Sequence, residues 1–332
     1  MAENITKSGF GKEQGLDPLN RIWTSIISSI LKLSRGMSNK FCVVIPTLGG
    51  DILARTIGMI NAGTMVPDEI LICIPKDFAH RVENLSVIPN VKVLATECKG
   101  QVKQRIEGFK KAENDFIIQL DDDMYVYDTC FERLIEGISG HDGDIAIGPA
   151  MIFEHDRSSC YDVTYPESWL NKMILGKNWF RPGGITRTGM NLGLNALKEN
   201  SRFTPVEWLA GGCVVHMKKN LWLSDYYPFK GKAYHEDVIH SIHLRKSGVR
   251  LLVDKTALCG IDPYEIGSNE KVDPINIFNL SFRYRKYILK LNNQPVIYLL
   301  IDGAVTYFFT FVNILKTSVK YSFNIAKKKI IE

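Results

Sequence analysis

Three adjacent carboxylates, Asp121, Asp122 and Asp123, directly follow the apolar run 116–120. Because neighbouring like charges repel, such a group is stable at neutral pH when a cation neutralises it. Hard divalent cations such as Mg²⁺ and Mn²⁺ take carboxylate oxygens and keep positions open for phosphate oxygens. Alternate residues of an extended segment point the same way, so we expect Asp121 and Asp123 to face one site and Asp122 the other side. The alternative is a solvated acidic loop or the cap of a helix.

A second acidic pair, Glu236 and Asp237, opens the helical pattern 238–246. Acids in a first helical turn interact favourably with the helix dipole, and that role alone explains the pair. A zinc-binding H-E-x-x-H motif is excluded, because position 239 is Ile239 and His240 lies one residue too far. The functional alternative is a general base near the cation site, since an ionised carboxylate accepts a proton from an attacking hydroxyl.

A third group consists of Gly100 followed by Gln101, Lys103 and Arg105 at the start of a helical pattern. Backbone amides and cationic side chains at a helix start suit a diphosphate. Solvated helix charges explain the same residues, so this signal is weak by itself.

The elements that must position these groups alternate along residues 41–150. Short apolar runs separated by helical patterns indicate βα units and a mainly parallel sheet covered on both faces. The runs are 41–45, 69–74, 91–95 and 116–120, and the helical patterns are 51–62, 101–112 and 128–138. In open α/β sheets, ligands bind beyond the carboxyl ends of the strands, which is where the first acidic group lies. Residues 151–206 are irregular and form either a loop-rich insertion that shapes a site or a tolerated surface excursion.

Composition and charge narrow the class of protein. The 332 residues are 45% hydrophobic and 23% charged, which excludes a disordered chain, a collagen and a polytopic membrane protein. The net charge of +5 fits an anionic partner but is too small to indicate nucleic acid. The 7 cysteines are scattered and form no C-x-x-C pair, which argues against a disulfide framework or a zinc knuckle and favours a reducing cytoplasm. The N-terminus has no apolar region of a signal peptide.

Two further segments have apolar patterns outside the βα region. Residues 19–31 form an amphipathic pattern, which predicts a helix that packs on the protein or lies at a membrane surface. Residues 296–315 are long enough to span a membrane, but basic residues flank both ends and Asp302 interrupts the segment. We expect a monotopic or re-entrant helix with both ends in the cytoplasm; a single span and a buried helix are the alternatives.

Together these residues resemble the family 2 glycosyltransferases of the GT-A fold over about residues 40–260. Residues 41–47 (FCVVIPT) are similar to the first strand and the nucleotide-contacting turn of the family. Residues 100–123 are similar to its arginine-bearing helix and the D-x-D motif that follows. The turn 210–212 (AGG) is similar to the small-residue turn near the donor sugar. Residues 235–248 are similar to the E-D helix with its R-x-x-G ending.

The resemblance implies an inverting, metal-dependent glycosyltransferase with a GT-A, Rossmann-like α/β fold. It implies an N-terminal tail and helix over 1–39, a catalytic domain over 40–262 and a helical, membrane-associating extension over 263–332. The partners are a nucleoside-diphosphate sugar and a glycan or lipid-linked acceptor at the inner face of the cell membrane. In the implied site, Asp237 is the catalytic base and Glu236 supports it. Asp123 and Asp121 are the ligands of Mn²⁺ or Mg²⁺. The residues that contact the nucleotide sugar are Pro46, Thr47, Asp77, Gly100, Arg105, Asp121, Asp122, Gly211 and Gly212.

The sequence departs from the family at two places. Of the acids that follow the second strand and contact the base, only Asp77 remains, in a displaced position. The family has a metal-binding histidine after the last strand, and Cys259 occupies its approximate position here. Cys259 or a water molecule would therefore take the place of the histidine as a metal ligand. Two other functions stay open: a sugar-nucleotide nucleotidyltransferase, and a non-catalytic nucleotide-sugar-binding protein in which Asp237 only caps a helix.

Overall fold

The computed structural model describes residues 40–161, 169–176, 181–194, 200–229, 233–262, 274–308 and 316. These residues belong to one compact unit, Lys40–Glu332. The helix predicted at 19–31 and the end of the apolar segment, 309–315, lie outside the described residues.

The first half of the unit consists of four parallel strands in the order β3-β2-β1-β4. They are β1 (Phe41–Pro46), β2 (Glu69–Pro75), β3 (Val91–Thr96) and β4 (Phe116–Leu120), with helices α1 (Asp51–Ala62) and α2 (Gln101–Lys111) and the 3₁₀ segment Lys76–Val87 between them. Every residue of β1 and β4 is buried, because these central strands are covered on both faces and carry mainly β-branched and aromatic side chains. The four strands confirm the runs predicted from the sequence.

The second half of the sheet is mixed. It contains β5 (Tyr125–Val126), α3 (Cys130–Gly140), β6 (Ile145–Phe153), α4 (Trp169–Leu175), β7 (Phe203–Val206), β8 (Cys213–Met217), α5 (Glu236–Lys246) and β9 (Arg250–Ile261). Strand β8 pairs antiparallel with both β4 and β6, whereas β6 and β9 are parallel. The α/β class is therefore confirmed, and the parallel arrangement predicted for most of the sheet holds in its first half. The order β4-β8 places the residues before β8 beside the acidic turn after β4.

Alternation along β1 divides the core into two layers. Val43 and Ile45 face the larger cluster of buried side chains, and Cys42 and Val44 face a smaller cluster that includes Phe109 of α2. Successive side chains of a strand point to opposite faces, so a single apolar run supplies both layers. This packing fixes α2, and with it Arg105, against the carboxyl ends of the parallel strands.

A helical pair follows the sheet: α6 (Pro274–Leu291) and the helical stretch 297–308. Arg285 donates to Asp302 (Nη2–Oδ2 2.5 Å), and Phe278 packs edge-on against Tyr307 at 4.7 Å between ring centroids. The aspartate that interrupts the apolar segment is therefore paired with a cation of the neighbouring helix. Among the described helices, none combines the length and the apolar character that crossing a membrane requires.

Local contacts set the bounds of two strands near the site. Residues 208–217 are an apolar run, but the strand begins only at Cys213, because Gly211 and Gly212 form a turn before it. Strand β9 continues to Ile261, because its second half pairs with β5 and β6.

Candidate active site

The acidic turn after β4 is held in place by hydrogen bonds from both sides. The amide of Asp121 donates to the carbonyl of Gly212 (2.9 Å). The hydroxyl of Thr56 in α1 donates to the carbonyls of Asp122 (2.9 Å) and Met124 (3.1 Å). Because backbone groups of the turn are bonded to two other elements, its carboxylates have fixed positions at the strand ends.

Arg105 joins the two acidic groups of the sequence. Its Nη1 donates to Glu236 Oε1 (2.8 Å) and its Nη2 to Asp121 Oδ1 (3.0 Å), while the side chain is only 1% exposed. Charge-assisted hydrogen bonds of a planar guanidinium fix both direction and distance. The acidic turn and the start of α5, expected to converge, therefore lie on either side of one buried arginine.

Both oxygens of Glu236 are occupied. Oε1 accepts from Arg105, and Oε2 accepts from the hydroxyl of Tyr226 (2.7 Å). The ring of Tyr226 stacks on His240 with an interplanar angle of 6°, so the hydroxyl is directed by α5 itself. Glu236 is 6% exposed, so its carboxylate is both buried and bonded on each oxygen.

Asp237 has different surroundings from Glu236. It is half-buried, its Oδ1 accepts from the amide of Val238 (2.8 Å), and its Oδ2 makes no hydrogen bond with the described part of the chain. Burial, followed by the charge of Glu236, raises the pKa of Asp237 to about 7. A carboxylate with a pKa near neutrality and an open oxygen has the properties of a general base.

The Gly211–Gly212 turn lies between the two acidic groups. A Cβ on Gly211 would approach Glu236 Oε1 to 2.7 Å, so only glycine allows this close approach. Gln119 of β4 donates to the carbonyl of Gly211 (2.7 Å), which ties the turn to the strand that carries the acids. The predicted residues Gly211 and Gly212 are thus part of the site wall, next to Glu236 and Asp121.

Tyr161 lies within electrostatic range of three of these acids. Burial raises the pKa of its hydroxyl, and the charges of Asp237, Asp121 and Asp123 raise that pKa further. The three carboxylates therefore lie near the same hydroxyl group.

A cavity of about 750 Å³ opens beside the acidic turn, a volume in the range of small-molecule sites. It is lined by Pro46, Thr47, Leu48, Lys99, Gly100, Gln101, Val102, Lys103, Gln104, Asp122, Asp225, Tyr227, Phe229 and Ala233. Asp122 accepts a short hydrogen bond from the hydroxyl of Thr47, and burial raises the pKa of the Asp122 carboxyl. Gly100 has a φ of 127°, which favours glycine, and starts α2 at the cavity wall. The two aromatic rings and two lysines among the lining residues can accommodate a base and a phosphate group.

Five of the nine predicted nucleotide-sugar contacts are not among the cavity-lining residues: Asp77, Arg105, Asp121, Gly211 and Gly212. Asp77 is exposed at the start of the 3₁₀ segment. Arg105 is buried, with its guanidinium bonded to Glu236 and Asp121. Pro46, Thr47, Gly100 and Asp122, in contrast, line the cavity together.

Comparison with known proteins gives a family match over part of the chain. Residues 42–196, called the family 2 segment below, match the model of glycosyl transferase family 2. The resemblance seen in the sequence is confirmed over these residues, which include β1, α2, the acidic turn and part of the cavity lining. No curated protein matches the chain.

Solved structures with a similar fold are glycosyltransferases. GalNAc-T7 with UDP, GalNAc and Mn²⁺ has a TM-score of 0.53 and 20% identity, over 75% of this chain and 50% of that chain. The S. aureus TarS fragment 1–349 with UDP-GlcNAc has a TM-score of 0.48 and 18% identity, over 75% and 66% of the two chains. The chain thus spans about half the length of the GalNAc-T7 structure, and the likeness shows the GT-A fold.

The acids of the family 2 segment fit a hard divalent cation. Asp123 and Asp121 provide carboxylate oxygens at a strand end, and such cations fill their remaining positions with water and phosphate oxygens. Oδ1 of Asp121 already accepts from Gln101 (2.8 Å) and from Arg105. Burial raises the pKa of Asp121 to about 6, which a nearby cation would lower. Cys259 does not fit this role, because its thiol is fully buried against Cys130.

The sequence analysis missed several residues of the site. Tyr226, Tyr227 and Phe229 form an aromatic cluster seven to ten residues before Glu236, and this spacing was the available signal. Gln104 donates to the carbonyls of Thr47 and Cys73 (both 2.7 Å) and joins the ends of β1 and β2 to α2. No pattern in the sequence indicated this buried amide, because its partners are backbone atoms of other elements.

Replacement of Arg105 by Met is expected to lower the free energy of unfolding by about 3–5 kcal/mol, because it leaves two carboxylates without their buried partner. Urea denaturation measures the change, as a shift in midpoint with an unchanged m-value. Arg133→Met is the matched control: its pair with Glu136 is 3.2 Å long but 41% and 31% exposed, so about 1 kcal/mol or less should be lost. Equal losses in both variants would contradict the structural role of Arg105.

Proposed function

We propose that the protein is an inverting glycosyltransferase that moves a sugar from a nucleoside-diphosphate sugar to an acceptor hydroxyl. The observation that carries the proposal is the arrangement around Arg105, which holds the acidic turn and the Glu236–Asp237 pair at one site. The family 2 segment supports the reaction class.

The cavity is the proposed donor site. The rings of Tyr227 and Phe229 provide surfaces for a nucleobase, and Lys99 and Lys103 provide positive charge for the diphosphate. Asp122, bonded to Thr47 at the edge of the cavity, supplies an acceptor for a ribose hydroxyl. The sugar then lies toward the Gly211–Gly212 turn, where the acids converge.

Asp123, supported by Asp121, would hold Mn²⁺ or Mg²⁺ at the strand end. When bound, such an ion offsets the negative charge that develops on the leaving diphosphate. Arg105 keeps the Asp121 carboxylate in place from behind, and Gln101 bonds the same oxygen from the start of α2. This chain therefore fixes the ligand geometry before the donor binds.

Asp237 is the proposed general base. Its open oxygen takes the proton from the acceptor hydroxyl as that oxygen attacks the anomeric carbon on the face opposite the leaving group. A single displacement gives inversion at the anomeric carbon. Glu236, fixed by Arg105 and Tyr226, keeps the first turn of α5 in position, and its charge helps to maintain the raised pKa of Asp237.

The proposal is tested by measuring thermal unfolding of the protein with Mn²⁺ and each member of a panel of nucleoside-diphosphate sugars. The true donor should stabilise the native state by about 2.7 kcal/mol at a hundredfold excess over its dissociation constant. NMR of the product with a simple alcohol acceptor should show the anomeric configuration opposite to that of the donor. If every donor leaves the unfolding temperature unchanged and no transfer occurs, the proposal is wrong.

The proposed acceptor is a lipid-linked glycan at the inner face of the cell membrane. The helical stretch 297–308 presents exposed apolar residues at helical spacing, including Ile297 (53% exposed), Leu300 (51%) and Ile301. The neighbouring helix α6 carries the exposed cations Lys286 and Lys290, which suit anionic headgroups. These two features support a peripheral contact with a membrane.

Sedimentation with anionic liposomes tests this contact. The unchanged chain should sediment with the vesicles, and Leu300→Glu should weaken the association, because a charge would enter the apolar face. Val87→Glu is the matched control, since Val87 is 81% exposed on a 3₁₀ segment distant in sequence. Full recovery of the unchanged chain in the supernatant would contradict the membrane contact but not the transferase activity.

A further inference from the structure

Three of the seven cysteines meet in the core, away from the carboxylates of the site. Cys130 begins α3, Cys213 begins β8, and Cys259 lies in β9 beside Val126 of β5. All three are fully buried, and their sulfur atoms lie within 4.8 Å of one another, with 3.6 Å between Cys130 and Cys259. Strand pairing and helix packing thus join thiols that are up to 129 residues apart.

The sulfur spacing suits a single bound ion. With metal–sulfur bonds of about 2.3 Å, three thiolates around one ion are separated by roughly 3.8–4.0 Å. The 3.6 Å between Cys130 and Cys259 and the upper limit of 4.8 Å for all three sulfurs lie on either side of that value, so small side-chain rotations would complete the coordination. Within the described residues, no imidazole or carboxylate joins the three sulfurs to complete a four-ligand set. A three-coordinate thiolate site favours a soft ion over a hard one.

We propose that Cys130, Cys213 and Cys259 bind one Cu(I) ion in a buried three-sulfur site. Each thiol that ligates the ion releases its proton to solvent, and no change of oxidation state takes place. Because Cys213 follows Gly212, whose carbonyl accepts from the Asp121 amide, the ion would brace the wall behind the acidic turn. Binding should therefore stabilise the native state.

The test uses the full chain with Cys98 and Cys160 replaced by Ser, since these half-exposed thiols would bind copper adventitiously. Cu(I) is added without oxygen in competition with a chromophoric Cu(I) chelator. One equivalent should be retained per chain, and X-ray absorption should show three sulfur neighbours at one distance. Zn²⁺, which prefers four ligands, should bind at least about tenfold more weakly.

Variants locate the ion. In the same background, Cys213→Ser should lower Cu(I) affinity at least about tenfold, because it removes one of three soft ligands. Cys73→Ser is the matched control: Cys73 is equally buried but lies outside the group of three, so affinity should be unchanged. The X-ray absorption spectrum is recorded on the chain with only Cys98 and Cys160 replaced, so the sulfur count stays a valid test even if Cys213→Ser fails to fold. Fewer than three sulfur neighbours, no retained copper, or equal affinity in Cys213→Ser and the parent would each overturn the proposal.

Discussion

Asp237→Asn is expected to lower glycosyl transfer by about 10²- to 10⁴-fold, the usual contribution of a positioned general base. Asn has the shape of Asp but cannot take a proton at pH 7. Donor binding should stay nearly unchanged, because the cavity is lined by other residues. The loss should therefore appear in kcat, with little change in the affinity for the donor.

Transfer assays at saturating donor, together with calorimetric titration of the nucleoside diphosphate, separate these two quantities. Asp142→Asn is the matched control, since Asp142 is an exposed carboxylate on the loop before β6, and its activity should be normal. Normal transfer in Asp237→Asn would remove the proposed base and leave Asp237 as a helix-capping residue. Loss of donor binding and transfer together would instead indicate a structural role.

The pH dependence of the unchanged enzyme provides a second view of the same group. Because the pKa of Asp237 is raised to about 7, kcat/KM should increase with pH and level off above about 7. The contribution of Asp237 to the stability of the folded state changes with pH in the opposite direction to kcat/KM. Between its ordinary pKa of 3.8 and about 7, the folded state binds a proton that the unfolded state has released, so this group's contribution to stability is lost as pH rises. Asp237→Asn should flatten both profiles.

The strands and the two acidic groups could be predicted because both depend on local patterns. Apolar runs of strand length define β1 and β4, and the acids follow β4 at the edge where ligands bind. The position of Arg105 could not be predicted, since a cation at a helix start is normally solvated. Only the packing of α2 against β1 and the return of the chain to α5 place Glu236 within 2.8 Å of its guanidinium.

The aromatic wall of the cavity and the cysteine cluster show the same limit. Tyr227 lines the cavity because of the path of the segment before α5. Cys213 and Cys259 lie on β8 and β9, which flank β6 in the mixed sheet, and Cys130 lies at the start of helix α3. A sequence read as βα units gives parallel neighbours only, so it cannot bring Cys213 to Cys259. Contacts that depend on the antiparallel strand β8 were therefore beyond reach.

Asp123→Ala is expected to abolish the metal dependence of donor binding, so that affinity with Mn²⁺ falls to the value measured without metal. The reason lies in the number of oxygen ligands that such a cation requires. Asp121 Oδ1 already accepts from Gln101 and Arg105. Removing Asp123 takes away one of the two proposed carboxylate ligands, and Asp121 alone cannot hold a cation that requires several oxygen ligands.

Titration of the nucleoside diphosphate with and without Mn²⁺ measures this effect in Asp123→Ala and in the control Asp142→Asn. Retained metal dependence in Asp123→Ala would show that the cation is held by other groups, and the proposed role of the D-x-D motif would be wrong. Loss of metal dependence with preserved metal-free binding would separate the cation site from the cavity, because the base and ribose contacts proposed for Tyr227, Phe229 and Asp122 do not involve Asp123. The two sites would then contribute independently, one through charge at the diphosphate and the other through the shape of the cavity.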